Sequence, residues 1–224
     1  MQIALISATR AEIAPFLKEF KISSPERRIE NVIFQNHIVD VIITGVGMVA
    51  TAYRLGQVFG KMHYDLAINA GIAGSYNRGI PIGSLVNVHQ ETFSEIGAES
   101  NNDFLLPHTI GLNEFNRLPF NEGVLQNRTE FDSPLLLNLP KVKGLTANTI
   151  HGNEEHIAML QRLFDADVET MEGAAFMYAC MLENMACIEL RSISNYVESR
   201  DTAKWEISKA IETLNQFLIS YFNE

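Results

Sequence analysis

The chain has 224 residues, a formal net charge of −10 and a pI of about 5.1. That balance argues against a nucleic-acid or polyanion surface, where clustered Lys and Arg are expected, and reads as solubility. The length admits one large α/β domain or two small ones.

The chain begins directly with a strand, Gln2 to Ile6. It shows no basic n-region or cleavage site, so no secretory signal is expected. A helix follows from about Ala11 to Phe20. Val32–Phe34 and His37–Ile43 form a hairpin with Gln35-Asn36 at the turn. The spacing predicts a helix over Met48–Met62, a strand over Leu66–Asn69 and another over Ser84–Glu91, after the turn Gly79 to Gly83. Residues 100–139 are rich in Asn, Pro and Leu and weakly periodic. They read as an irregular excursion, either a lid that shapes a pocket or a plain surface loop. His156–Phe164 is helical, Val168 opens an extended piece, and Gly173–Asn184 is a strongly apolar helix. Ile188–Ile193 is the last strand, and Lys204–Tyr221 the closing helix. Cys180 and Cys187 lie seven residues apart in an apolar region and read as small core residues of a cytosolic protein. No apolar run approaches the ~18 residues of a membrane span.

Strands interleaved with helices predict a mixed or mainly parallel sheet covered on both faces: a single three-layer α/β/α domain, 1–224. In such sheets ligands sit outside the carboxyl ends of strands, so candidate chemistry belongs at the strand ends. Thr9-Arg10-Ala11-Glu12 is either a capping box or a carboxylate held at a helix start and able to activate water. Gly45-Val46-Gly47-Met48-Val49-Ala50 formally fits a dinucleotide fingerprint. Asp65, the acid about 20 residues on, precedes a strand instead of ending one, so a tight strand-to-helix turn explains the glycines better. Asn69 to Gly74 is either a packing turn or a surface that a flat ligand approaches closely. Glu172 opens the apolar helix. It is either a first-turn acid kept ionised by the helix dipole or an acceptor for a vicinal diol. The run Arg191 to Asp201 reads as a strand end opening into a polar loop, with Ser194-Asn195 offering a hydroxyl and an amide. His151 and the other histidines show no metal spacing and read as surface or loop residues. No metal and no cofactor are expected.

Four pieces together resemble the nucleoside phosphorylase/hydrolase superfamily: the opening strand ending near Glu12, the Gly45-Val46-Gly47 turn, Asn69 to Gly74, and Met171-Glu172 before an Ala-rich helix. Their order is similar to methylthioadenosine/S-adenosylhomocysteine nucleosidases over nearly the whole chain. That resemblance implies that Glu12 polarises the attacking water, that Glu172 binds the ribose hydroxyls over Met171, and that Ala73, Gly74, Ile150 and Ser194 touch the substrate. Where those nucleosidases carry an aspartate that protonates purine N7, this chain has Asn195. Ser194-Asn-x-Val-x-x-Arg-Asp-x-x-x-Trp205 and Glu91 to Glu99 instead resemble the futalosine hydrolases of the same superfamily. An amide can donate to N7 or O6 of a 6-oxopurine, whereas an ionised carboxylate repels O6. A neutral amide supplies no proton, and Asp201 is a speculative substitute. Arg200 or Arg78 is a candidate for the benzoate carboxylate that futalosine carries.

The expected partner is a small-molecule nucleoside, with no nucleic acid or membrane. The resemblance further implies a cytoplasmic homodimer or higher homo-oligomer. The rival readings are a nucleoside phosphorylase, a methylthioadenosine nucleosidase, a non-catalytic nucleoside-binding module and a dinucleotide-dependent enzyme.

Overall fold

The computed structural model describes residues 1–23, 30–34, 37–101 and 103–224. The elements in chain order are β1 (Gln2–Ser7), α1 (Ala14–Glu19), β2 (Glu30–Phe34), β3 (His37–Ile43), α2 (Met48–Phe59), β4 (Leu66–Ser75), β5 (Leu85–Phe93), β6 (Ala98–Ser100) and β7 (Asp103–Leu105). They continue with β8 (Phe120–Asn121), β9 (Val124–Gln126), α3 (Pro134–Leu137), β10 (Lys141–Thr146), α4 (Glu154–Phe164), β11 (Val168–Thr170), α5 (Gly173–Leu182), β12 (Cys187–Tyr196) and α6 (Ile207–Asn223).

Alternation along the strands sets the layers. In β1, Ile3 and Leu5 face a core shared with α1 and α6, while Ala4 and Ile6 face one shared with α2 and α5. A half-helical stripe does the same on the other side of each contact: Leu55, Val58 and Phe59 on α2, and Ala210, Leu214, Leu218 and Phe222 on α6. The fold is therefore α/β, with helices on both faces of a mixed sheet. The parallel run β3–β1–β4–β12 forms the backbone of that sheet. β4, β12, β5, β10 and β11 pair in a closed circuit, so this part curls into a small barrel. Val86, Val88, Val142, Val168 and Ile193 pack together there.

The structure departs from the sequence reading in several places, each for a physical reason. β4 does not end at Asn69; it runs to Ser75, because its small residues pair with both β12 and β11. β12 runs to Tyr196, so Arg191 and Ser192 lie in a buried strand and not in a polar loop. β10 is a strand the alternation did not reveal, its outward Lys141 and Lys143 masking Val142 and Leu145. The excursion at 100–139 places Phe115, Phe120 and Leu125 in the α2/α5 core and hangs β9 on β5. The β2–β3 hairpin pairs as expected, and its turn, Gln35-Asn36, lies outside the described residues. Among the described residues no helix is long and apolar enough to cross a membrane.

Candidate active site

The carboxyl ends of β1, β4, β11 and β12 converge on a cavity of about 330 Å³. Glu12, Ala73, Gly74, Ile150, Met171, Glu172, Ser194 and Asn195 all line it. Among the described residues, none of the 100–139 excursion does.

Glu12 sits in the turn between β1 and α1. The capping-box reading of Thr9 and Glu12 is corrected: α1 begins at Ala14, not Ala11, with Ile13 at its N-cap, so Thr9 caps no helix. The Thr9 amide and hydroxyl each donate to Glu12 Oε2 at 2.9 Å within the turn before α1, and the Ser7 hydroxyl donates to the same oxygen at 3.4 Å. Oε1 accepts from the Ile72 amide at 3.2 Å and belongs to the cavity wall. Asn215 of α6 anchors this turn from beneath: it donates to the Glu12 carbonyl at 2.8 Å and accepts from the Phe16 amide at 2.9 Å.

Glu172 is 5 % exposed. It makes no cap bond to its own helix. Instead Oε1 accepts from the Gly47 amide at 3.0 Å, and Oε2 faces the Arg191 Nη1 at 3.5 Å. Burial pushes its pKa above the ordinary carboxylate range, against the opposing pull of Arg191 and Gly47. The expectation that the α5 dipole keeps it ionised is thus replaced: its charge rests on Arg191 and on the α2 start. The positive φ of Gly45 (92°) and Gly47 (93°) confirms the tight-turn reading of that motif.

Arg191, 1 % exposed, was not singled out from the sequence. Its Nε donates to Glu189 Oε1 at 2.8 Å. Burial works to lower its pKa, but Glu189, Glu172 and Glu12 outweigh burial and hold it up. A side chain at Gly71 would meet both the Arg191 guanidinium and Glu12 Oε1, so only glycine lets the two come this close. Behind them lies Glu91, fully buried, accepting from the Thr146 hydroxyl at 2.7 Å and the Thr170 hydroxyl at 3.2 Å. Burial and neighbouring Glu189 push the Glu91 pKa well up. The only advance signal for this network was a charge-alternating strand, Ile188-Glu-Leu-Arg191.

The other end of the cavity is built on a β-bulge. The register of β12 on β4 jumps from Ile193↔Ala73 to Asn195↔Gly74, leaving Ser194 as the extra residue. The Ser194 hydroxyl lies within hydrogen-bonding distance of Asn195 Oδ1 (2.8 Å) and of the Ala73 carbonyl (3.2 Å). Asn195 Nδ2 donates to the Tyr196 carbonyl at 2.9 Å. This orients the amide and leaves one N–H of Nδ2 to give. Trp205, Ile207 and Ile211 close that side, and the Glu206 amide donates to the Ser194 carbonyl at 2.8 Å.

His151 lies in the loop between β10 and α4, as one of the two readings had it, but that loop lines the cavity: its Nδ1 is 2.6 Å from Glu169 Oε2 and its backbone N–H donates to Oε1 at 3.1 Å. Tyr76 donates to the same Glu169 Oε2 at 2.5 Å. The hydrogen bond from Glu169 raises the His151 pKa, with burial opposing. Three candidate residues stay outside. Asp201 caps a 3₁₀ turn through the Ala203 amide at 3.2 Å, so it is not placed to act as the acid. Arg200 lies over the Trp205 ring at 5.2 Å, behind the cavity wall. Arg78 pairs with Glu198 and stacks on Tyr196 at 4.5 Å, likewise outside. Among the described residues no group of three His, Cys, Asp or Glu is arranged to hold a metal ion.

A model of the phosphorylase superfamily matches residues 2–223. The chain is 31 % identical over 174 residues to the futalosine hydrolase of Thermus thermophilus, covering 76 % of this chain and 75 % of that one. It is 22 % identical over 201 residues to the aminodeoxyfutalosine nucleosidase of Campylobacter jejuni, covering 87 % and 86 %. The solved structure of a futalosine hydrolase from Helicobacter pylori superposes with a TM-score of 0.78 at 19 % identity, over 98 % of this chain and 96 % of that one, which attests the fold.

Proposed function

The chain belongs to the phosphorylase superfamily, and on that premise we propose that it is an N-glycosidic hydrolase that cleaves futalosine to hypoxanthine and dehypoxanthine futalosine, a step of menaquinone synthesis. The observation that carries this reading is how Asn195 is held in the cavity lining: the Ser194 hydroxyl lies against its Oδ1 and the Tyr196 carbonyl takes one N–H of Nδ2, so among the described residues its second N–H, a donor, has no partner. A donor suits the N7/O6 edge of a 6-oxopurine. The Thermus thermophilus relative points the same way.

In the proposed reaction the C1′–N9 bond breaks and its electron pair passes to the purine. Glu12, its two oxygens oriented by Thr9 and Ile72, takes a proton from a water that adds to C1′. Glu172 accepts hydrogen bonds from the ribose hydroxyls over Met171. Asn195 and Ser194 hold the departing base on the Gly74 floor. A positioned acid or base contributes roughly 10²–10⁴-fold.

Residues 1–224 act as one such domain, in the cytoplasm, on a small nucleoside. We take the enzyme to be a homodimer, since Val46 and Ile150 line the cavity yet are exposed, beside exposed Val49 and Tyr53.

The test is incubation with futalosine, its 6-amino analogue, methylthioadenosine and inosine, each with and without phosphate. Phosphate-independent release of hypoxanthine from futalosine is expected. Sugar phosphate in the products would assign a phosphorylase, faster adenine release an aminopurine nucleosidase, and binding without cleavage a binding module. Asn195→Asp should move preference toward the 6-amino analogue, by about tenfold for one hydrogen bond of roughly 1.4 kcal/mol.

A further inference from the structure

Asn195 leaves one chemical need unmet. A purine departing as an anion needs a charged donor, and a neutral amide is not one. Residues on the opposite side of Gly74 meet that need. Gly74 pairs with Asn195 of β12 on one side and with Glu169 of β11 on the other. Strand neighbours in register present their side chains to one face. An added methyl at Gly74 would stand 3.3 Å from Asn195 Nδ2, so that face is the one the amide covers. Asn195 and Glu169 thus flank a glycine floor, their backbones two strand spacings, roughly 10 Å, apart. His151 rests on Glu169, pinned through both its ring and its backbone N–H, and lines the same cavity. Tyr76 buttresses Glu169 from within the fold. With Nδ1 turned to Glu169, Nε2 is the free ring nitrogen, and among the described residues it has no hydrogen-bond partner.

We propose that His151 is a further catalytic residue: its Nε2–H, held in place by Glu169 and Tyr76, donates to O6 of the purine while Asn195 donates to N7. The imidazolium stabilises the negative charge that flows from the C1′–N9 bond into the ring. The same donor meets the N6 donor of a 6-aminopurine unfavourably, so His151 also selects the oxo base. The charged groups acting on His151 are Glu169 on β11 and Glu95 after β5, and Tyr76 after β4 is bonded to Glu169. Arg200 approaches the adjoining Gly152. The anions around the ring favour its charged form.

This inference rests on the nucleosidase reading. The experiment measures kcat/KM for futalosine from acid to alkaline pH, and the binding of hypoxanthine and adenine, in the wild type, His151→Gln and Glu169→Gln. Charge-assisted hydrogen bonds predict a loss of about ten- to a hundredfold in His151→Gln. Its alkaline limb should vanish, hypoxanthine binding should weaken and adenine binding should hold. Glu169→Gln, which keeps the imidazole, should move the alkaline limb to lower pH. Thermal unfolding checks that each variant folds. A His151→Gln enzyme with activity within about twofold of the wild type overturns the proposal. So does a loss that leaves the pH profile unchanged and weakens both bases equally. A wild type that releases no base from any nucleoside instead refutes the nucleosidase reading itself.

Discussion

The two ends of the cavity are built on opposite plans. Where Glu12, Glu172 and Arg191 meet, Glu172 and Arg191 are buried and Glu12 is half-buried, and each is held in a network: Thr9 and Ile72 for Glu12, Gly47 and Arg191 for Glu172, Glu189 for Arg191. Where Asn195 and His151 line the cavity, the groups are an amide beside a bare glycine and an imidazole, each only partly buried. Burial opposes the charge of Glu172, so that end survives only as a complete network. The other end can change one side chain without stranding a buried ion. In the proposed reaction, sugar chemistry then belongs to the interlocked buried groups, and base choice to groups that can be replaced singly.

The largest effect should come from the charged end. Glu12→Gln is expected to cut turnover by roughly 10²–10⁴-fold while hypoxanthine still binds, measured by base release and by product titration. Near-normal turnover would remove Glu12 from the chemistry. Next, Arg191→Met strands Glu189 and Glu172 in the interior, and urea unfolding should show a loss of about 3–5 kcal/mol. A small loss would mean that the carboxylates simply take up protons, and the contrast between the two ends would weaken.

The base end should yield more gently. Gly74→Ala places a methyl 2.9 Å from Val197 Cγ2 and 3.3 Å from Asn195 Nδ2. Overpacking of that kind costs roughly 1–3 kcal/mol, and it should appear as weaker hypoxanthine binding with little change in kcat. The smallest effect is a stability difference that depends on pH. Glu169 raises the folded pKa of His151 above its unfolded value of about 6.5. The wild type's advantage over His151→Gln should therefore be fully present below that value and fade as pH rises through the folded pKa. Melting curves across that range check the sign, and an advantage that grows with pH would contradict the pair.

Sequence reading reached the charged end through Glu12 and Glu172, because each lies in a short connection from a strand to a helix, a place visible in one dimension. It reached Asn195 through a run that resembles a family. Arg191 escaped because a charged residue after Ile188-Glu-Leu reads as the strand's exit, and only three-dimensional pairing shows that its partners are buried. His151 escaped because its partner Glu169 lies 18 residues away and is brought to it by the β10–β11 pairing, Thr146 opposite Thr170. Asp201 failed for the converse reason. It follows Asn195 closely in sequence, but after Val197 the chain leaves the cavity and spends that carboxylate on a turn.

The pairing of β4 with β12 has a consequence for how the protein comes into being. Residues 66–75 must wait for residues 187–196, more than a hundred positions later, before their floor has a wall. Contacts of such sequence separation slow folding, since chain entropy is lost before the pairing compensates. During synthesis on the ribosome the first half of the molecule therefore carries Glu12 and Gly74 with no pocket between them. Recognition of a nucleoside arrives late and all at once, when the final strand slides into place, and a chain stopped short of it should bind nothing.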